Sequence, residues 1–488
     1  MADRNAYRTL AAWMLGACAL HAQVISEWAF GGPDHRLAYR FDERGDRLMD
    51  FSSAGYRGGG VAAPSLAIGQ RLLPAAGDST SRIQAALDTA EGAVVLAPGE
   101  YELAGTLHIR RGGVVLRGEK GAGIRLTGRP HGFLEIHGAG TWQEDGPAAP
   151  VLDSYVPAGA SRFRVRDAAR FHAGDPVLVL RQWSGKPTHF PGIDQPIVNL
   201  EPQVGTGAGG VIRTDRVVDS VDGDRVTLDV PLSDALDSQA AAVSLVRYRF
   251  PGRITEAGVE GLRIVAPFED RAVAVLRMDA VEDGWARDLE IEEQENGVAL
   301  GASAKRITLT NVRIAHTARH PGPAAPVDFA LEGTQILLDR CRVTGEGTRP
   351  VATEAWTSGP LVALNFSADH GGVSGDPYWT TGLLVDGGKF PGATEATPGV
   401  AFSNHIGWAV AWNVSSPFLL VQEPPGATNW CIGCIGSPVT AGGAPNGVFD
   451  STGKVVHPSS LYLQQLRDRV GPDAVRNIGY ADSLGKLL

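Results

Sequence analysis

The run VEGLRIV, residues 259–265, returns in altered form as ARDLEI (286–291), LTNVRI (309–314) and LDRCRV (338–343). Each copy sets Ile or Val two residues after another apolar side chain, behind Gly, Asp, Asn or Arg at a turn. The anchors are Ile264, Ile291, Ile314 and Val343, separated by steps of 27, 23 and 29 residues. LVDGGKF (384–390) puts Phe390 another 47 residues on, about two steps. Helical periodicity is nearly absent between Val94 and Val439, where short β-branched and aliphatic runs alternate with polar residues instead. Irregular repeats of this length, built from short strands, predict a parallel β-solenoid. One coil cannot bury its apolar face alone, whereas stacked coils put like residues above like and bury a continuous column.

Such a stack needs its ends closed, because open strand edges invite aggregation. DSTSRIQAALDTAEG (78–92) reads as a helix with Ile83, Ala86 and Leu87 on one face. PSSLYLQQLRDRVG (458–471) reads as a second, with Ser459 or Ser460 as N-cap, Leu463, Leu466 and Val470 apolar, and Gly471 as stop. Both are expected to cap the stack. From about Asp153 to Tyr248 the rhythm changes to alternating strands joined by Gly-Asp turns, which predicts a small antiparallel barrel or sheet inserted between coils. GTGAGG (205–210) lacks the Lys-Ser/Thr of a phosphate loop and reads as a turn in that insert. The expected organisation is a signal peptide at 1–22, an N-terminal segment with the first coils at 23–152 and the insert at 153–250. The main helix follows at 251–456, the C-terminal capping helix at 457–480 and a loose tail at 481–488.

Arg4 and Arg8 precede a short apolar run that ends in small residues, the pattern of an export signal cleaved after Ala22, so the protein is expected to be secreted or periplasmic. LGAC, ending at Cys18, offers the alternative of a lipoprotein anchor. No later segment reaches the roughly 18 apolar residues of a membrane helix. Formal net charge is −10 with no dense Lys/Arg run, which argues against a nucleic-acid binder. Cys431 and Cys434 have the spacing of a redox or metal pair. Read as one strand, however, they face opposite sides and are expected to be buried, unpaired thiols.

STSRIQAALDTAEGAVVLAPGEYELAGTLHIRRGGVVLRGE (79–119) resembles the opening segment of the pectate-lyase-like superfamily, where a helix precedes a V-x-L-P-P-G-x-Y strand-turn and a V-x-L-x-G coil. The matching positions here are VVLAPGEY (94–101) and VVLRGE (114–119). DFSSAGYRGGG (50–60), GTQILLDRC, WTTGLLVD, GWAVAWNV and PPGATNWCIGC resemble a mostly bacterial family of secreted β-helix proteins, over roughly residues 50–480. The resemblance implies an all-β, right-handed parallel β-helix. In that family the position of Tyr378 often carries His. The superfamily includes tail spikes, lyases, hydrolases and epimerases, so it implies an architecture more than a reaction.

The coils from about His316 to Trp412 are rich in reactive and planar side chains, and stacking brings equivalent turns within about 5 Å of one another. AHTARHPG supplies His316 and His320, PVDFALEGTQ supplies Asp328 and Glu332, and RPVATEAWTSGP supplies Arg349, Glu354 and Trp356. SADHGGVSGDPYW (367–379) adds His370, Asp376, Tyr378 and Trp379 on a glycine-rich loop, and SNHIGWAVAWN adds His405, Trp408 and Trp412. The expected site is a polysaccharide groove with that loop as one wall. His370, Tyr378, Asp376, Glu354 and His405 are its catalytic candidates. Arg349, Trp356, Trp379, His320 and Asp328 are its substrate-binding candidates, and Trp412 is expected to fill core. A uronate lyase needs a base, an acid and a cation facing the carboxylate, roles open to His370, Tyr378, His405 and Arg349. A hydrolase needs two carboxylates across the bond, from Glu354 with Asp376 or Asp328 with Asp376. The family background favours the lyase. A non-catalytic carbohydrate-binding β-helix is the third reading. No cofactor is expected; Asp369 and Asp376 are the oxygens a Ca²⁺ would use, without the dense acidic loop it prefers.

Overall fold

The computed structural model describes residues 24–182, 211–267, 273–292, 296–316, 325–354, 356–375 and 379–481. The export signal and Cys18 therefore lie outside the described residues.

The chain winds as a right-handed parallel β-helix. Each full coil contributes strands to three parallel sheets, called A, B and C in the order the chain meets them. In the sixth coil these are Thr334–Asp339, Arg342–Thr344 and Arg349–Thr353. The repeat anchors stack in register on sheet B: Ile124 pairs with Ile264, Ile264 with Ile291, Ile291 with Ile314, Ile314 with Val343 and Val343 with Ala368. All are buried in one continuous apolar core.

The residue types that precede each anchor have a backbone cause. From the third coil onward the corner between sheets A and B is turned by a left-handed residue. Asp288, Asn311, Arg340, Asn365 and Asn413 have φ between 50° and 54° there, and Gly261, Gly387 and Gly433 occupy the same corner. This conformation costs most residues roughly 1–2 kcal/mol, but Gly adopts it freely and Asn and Asp are tolerated. Side chains on the corner also bond along the stack, Asn311 Nδ2 donating to Asp288 Oδ1 at 2.7 Å.

The two cysteines are buried and free, as expected, but that corner corrects the expectation that they face opposite sides. Gly433 turns the chain between Cys431 and Cys434, so both thiols point into the core and lie against one another. This contact, and then burial, push the Cys431 thiol well above its ordinary range.

The first helix, α1 (Thr80–Thr89), covers the first coil, with Ile83, Ala86 and Leu87 buried in the coil core. The C-terminal pair, α2 (Leu461–Val470) and α3 (Pro472–Asn477), does not cap the other end as expected. It lies along the outer face of sheet A. The strands Thr334–Asp339, Ser358–Leu364 and Thr380–Asp386 are buried at every position. Such strands must be covered on both faces. Leu461, Tyr462 and Leu466 pack there with Phe51, Leu364, Leu384, Trp412 and Trp430. Asp386 accepts from Ser460 Oγ at 2.7 Å and from the Tyr462 N–H at 2.8 Å, which fixes the start of α2.

The insert is antiparallel, as expected, with Pro176–Gln182 between Val211–Asp222 and Ala242–Arg249. Its last strand already pairs with Gln143–Glu144 and Ala149–Pro150. Phe163, Val177, Val179, Val226 and Leu245 form its own core. A buried ionic cluster joins it to the coils: Asp215 takes Lys305 Nζ at 2.7 Å, Arg253 at 3.1 Å and the Tyr248 hydroxyl at 2.8 Å.

Candidate functional site

Sheet A is covered, and sheet B presents a ladder of ion pairs such as Arg263–Glu292 and Arg342–Asp369. Sheet C differs. Its outward column runs in register through His108, Glu135, Arg277, Ala299, Ala330, Ala352, Ser374 and Ala401. From Ala299 to Ala401 every member is small, so this part of the sheet forms a shallow floor where neighbouring faces bristle. A cleft of about 660 Å³ lies over the earlier part of this floor, lined by His131, Glu135, Arg277, Asn296, Ala299, Ala330, Arg349 and Glu354 among others.

Beyond the last residue of the sheet C strands runs an acidic column. Register places Asp279, Gly301, Glu332 and Glu354 on successive rungs. The Glu332 N–H bonds Leu300 O and the Glu354 N–H bonds Leu331 O, both at 2.9 Å, so the two glutamates sit one rung apart. Gly301 makes room: a Cβ there would stand 2.5 Å from Asp279 Cγ. Asp279 is held by Ser303 Oγ at 2.6 Å and the Ala280 N–H at 2.9 Å, and Arg277 lies 3.7 Å from its other oxygen. Burial pushes the Glu332 carboxyl above its ordinary range, and the charges of Asp279 and Glu354 push the same way. Crowding among carboxylates favours the protonated form of one member.

Toward the first coil stand His108 and Glu135, on the outward column, and His137, the register partner of Asp279. Burial, then the nearby Arg110, holds His108 below the ordinary imidazole range.

The structure brings together two of the expected residues, Arg349 and Glu354, at the two ends of one strand and both on the cleft. His370 is exposed on the turn between sheets B and C, 3.6 Å from Glu346. His405 is half-buried on the turn between sheets C and A, where its carbonyl accepts from the Thr380 N–H. Asp328 is no surface group: it is fully buried, 2.5 Å from His316 Nε2 and 2.7 Å from Thr348 Oγ1. Trp379 is only 4% exposed and donates Nε1–H to Asp234 of the insert at 2.7 Å. Trp356 packs half-buried against the cluster that covers sheet A. Both indoles thus serve packing between parts of the chain. Trp412 is buried as expected, its Nε1–H on Pro458 O at 2.8 Å. Asp376, Tyr378 and His320 lie outside the described residues. The sequence reading passed over Glu135, Arg277 and Asp279, which precede the window it searched.

No protein-family model and no curated protein matches the chain. Among solved structures, the Gp54 tailspike of Acinetobacter baumannii bacteriophage AP22, in complex with A. baumannii capsular saccharide, is 12% identical, with 77% of this chain and 55% of that one covered and a TM-score of 0.41. The chain therefore spans little more than half of that tailspike. The tailspike gp49 from Pseudomonas phage LKA1 is 15% identical over 77% of this chain and 74% of its own, with a TM-score of 0.38. The A-module of the Azotobacter vinelandii mannuronan C-5 epimerase AlgE4 is 10% identical over 80% and 94%, with a TM-score of 0.31.

Proposed function

We propose that the sheet C cleft binds a polysaccharide and hydrolyses a glycosidic bond between Glu332 and Glu354. The observation that carries the reading is the acidic column, where two glutamates stand one rung apart and burial and neighbouring charge raise the pKa of Glu332. Glu332, half-buried beside Asp279 and Glu354, is the member whose protonated form is favoured, and it donates its proton to the glycosidic oxygen as the C–O bond breaks. Glu354, on the cleft, attacks the anomeric carbon as a carboxylate. Water, deprotonated by Glu332, then displaces Glu354 and returns both groups to their starting state. Neighbouring rungs are about 5 Å apart, which matches the separation of double-displacement hydrolases and implies retained anomeric configuration.

A uronate lyase, the reading the family resemblance favoured, has one specific support. Arg277 and Arg349 both line the cleft and suit a substrate carboxylate. The two readings part in one assay on a panel of acidic and neutral glycans. Hydrolysis yields reducing ends without the ultraviolet absorbance of an unsaturated uronate; elimination yields both. Glu332→Gln and Glu354→Gln are each expected to lower kcat by about 10²–10⁴-fold with melting temperature almost unchanged. Full activity in both variants would dismiss the acidic column as the site.

A further inference from the structure

We propose that His108, Glu135 and His137 form a binding site for one divalent first-row transition-metal ion of the zinc class, at the N-terminal end of the sheet C floor. The backbone sets it up. His108, in Leu107–Ile109, is the register partner of Glu135, in Leu134–His137. His137 follows Glu135 by two residues, so the strand turns both to the same outer face. One donor atom from each of the three falls within 4.8 Å of the other two.

The nitrogens argue for a ligand. His108 Nδ1 and His137 Nε2 are both buried without a hydrogen-bond partner. His108 Nδ1 lies 3.3 Å from a Glu135 oxygen, but not in line for a hydrogen bond. Buried polar atoms rarely go unpaired, and two on rings set edge to face, 5.5 Å apart, need a common explanation. The tautomer of His137 follows from its other nitrogen. Nδ1 lies 3.1 Å from Gly138 O, and a carbonyl can only accept, so Nδ1 carries the hydrogen and Nε2 the lone pair. A ligating histidine is ordinarily oriented in this way, its second nitrogen on a carbonyl or carboxylate.

The donor set selects the ion. Two imidazoles and one carboxylate suit zinc and its neighbours, whereas Ca²⁺ takes six to eight oxygens. Three protein ligands leave coordination positions for water or substrate, as in catalytic rather than structural zinc sites. Glu135 also lines the cleft, so the site borders the space where a glycan is proposed to lie. The inference stands apart from the hydrolytic reading, since metal binding is measured without turnover.

The test uses the untagged full chain, stripped with a chelator and dialysed. Titration with Zn²⁺ by calorimetry is expected to give one site per chain, and Co²⁺ to give visible d–d bands. The melting temperature is expected to rise with Zn²⁺. His108→Ala with His137→Ala is expected to weaken Zn²⁺ binding at least ~100-fold and abolish the thermal shift, whereas His370→Ala leaves both intact. Glu135→Gln, close in shape, is expected to weaken binding and serves if the double variant fails to fold. Failure of the wild type to bind, or unchanged binding in the folded variants, would overturn the site. Loss of metal binding in a variant that still cleaves glycan, or the reverse, separates this site from the acidic column.

Discussion

Glu332 owes its raised pKa first to burial, then to Asp279 and Glu354. A general acid works only while protonated, so the proposed activity is expected to persist above the ordinary carboxylate range and to fall as pH rises through the Glu332 pKa. Asp279→Asn removes one of the two charges that keep the proton on. The alkaline limb of the kcat/KM profile is then expected to move to lower pH. A profile with an unmoved alkaline limb would remove Glu332 from the acid role. Glu354 and Arg349 were legible in the sequence because they sit close together beside a tryptophan. Glu135 and Arg277 were not. They are register partners on the floor, yet 142 positions apart with the insert between them. No local pattern reports a pairing across an insertion of that size.

The stacked left-handed corner is the most legible feature of the coil. Only a few residue types tolerate that backbone, so Gly, Asp, Asn and Arg recur before each apolar anchor and disclose the period. Asn311→Val forces a β-branched residue into φ 52° and deletes the bond to Asp288, so a loss of about 1–2 kcal/mol is expected. Asn311→Gly loses the same bond but relaxes the backbone, so a smaller loss is expected. Urea midpoints of the two variants measure the difference, and equal losses would show that the corner is not held by its conformation. The same feature explains the misread cysteines. Period-two alternation predicts opposite faces only within one strand, and Gly433 ends the strand between Cys431 and Cys434.

Aromatic residues that follow loops look alike in sequence whether they meet a glycan or another part of the chain. Trp379 and Trp408 meet the insert. Both donate Nε1–H to Asp234, at 2.7 and 3.0 Å, and Arg181 of the insert donates to the same carboxylate at 2.5 Å. Three donors from two units thus converge on one acid that is mostly buried. The contact clasps the insert to sheet A, the sheet that α2 and α3 cover further along. Asp234→Ala removes the carboxylate shared by a buried guanidinium and two indole N–H groups, at a cost of about 3–5 kcal/mol. The loss falls on the docking of the insert, because the insert keeps its own core and sheet C shares no residue with the clasp. Limited proteolysis is therefore expected to cut the variant within the insert at protease concentrations that spare the wild type, with tryptophan emission shifted to the red. Glycan cleavage and zinc binding below the melting temperature are expected to persist. Equal resistance to protease in variant and wild type would mean that the ionic cluster around Asp215 holds the insert without Asp234. Loss of cleavage with the fold intact would mean that the cleft depends on the insert, from the far side of the coil.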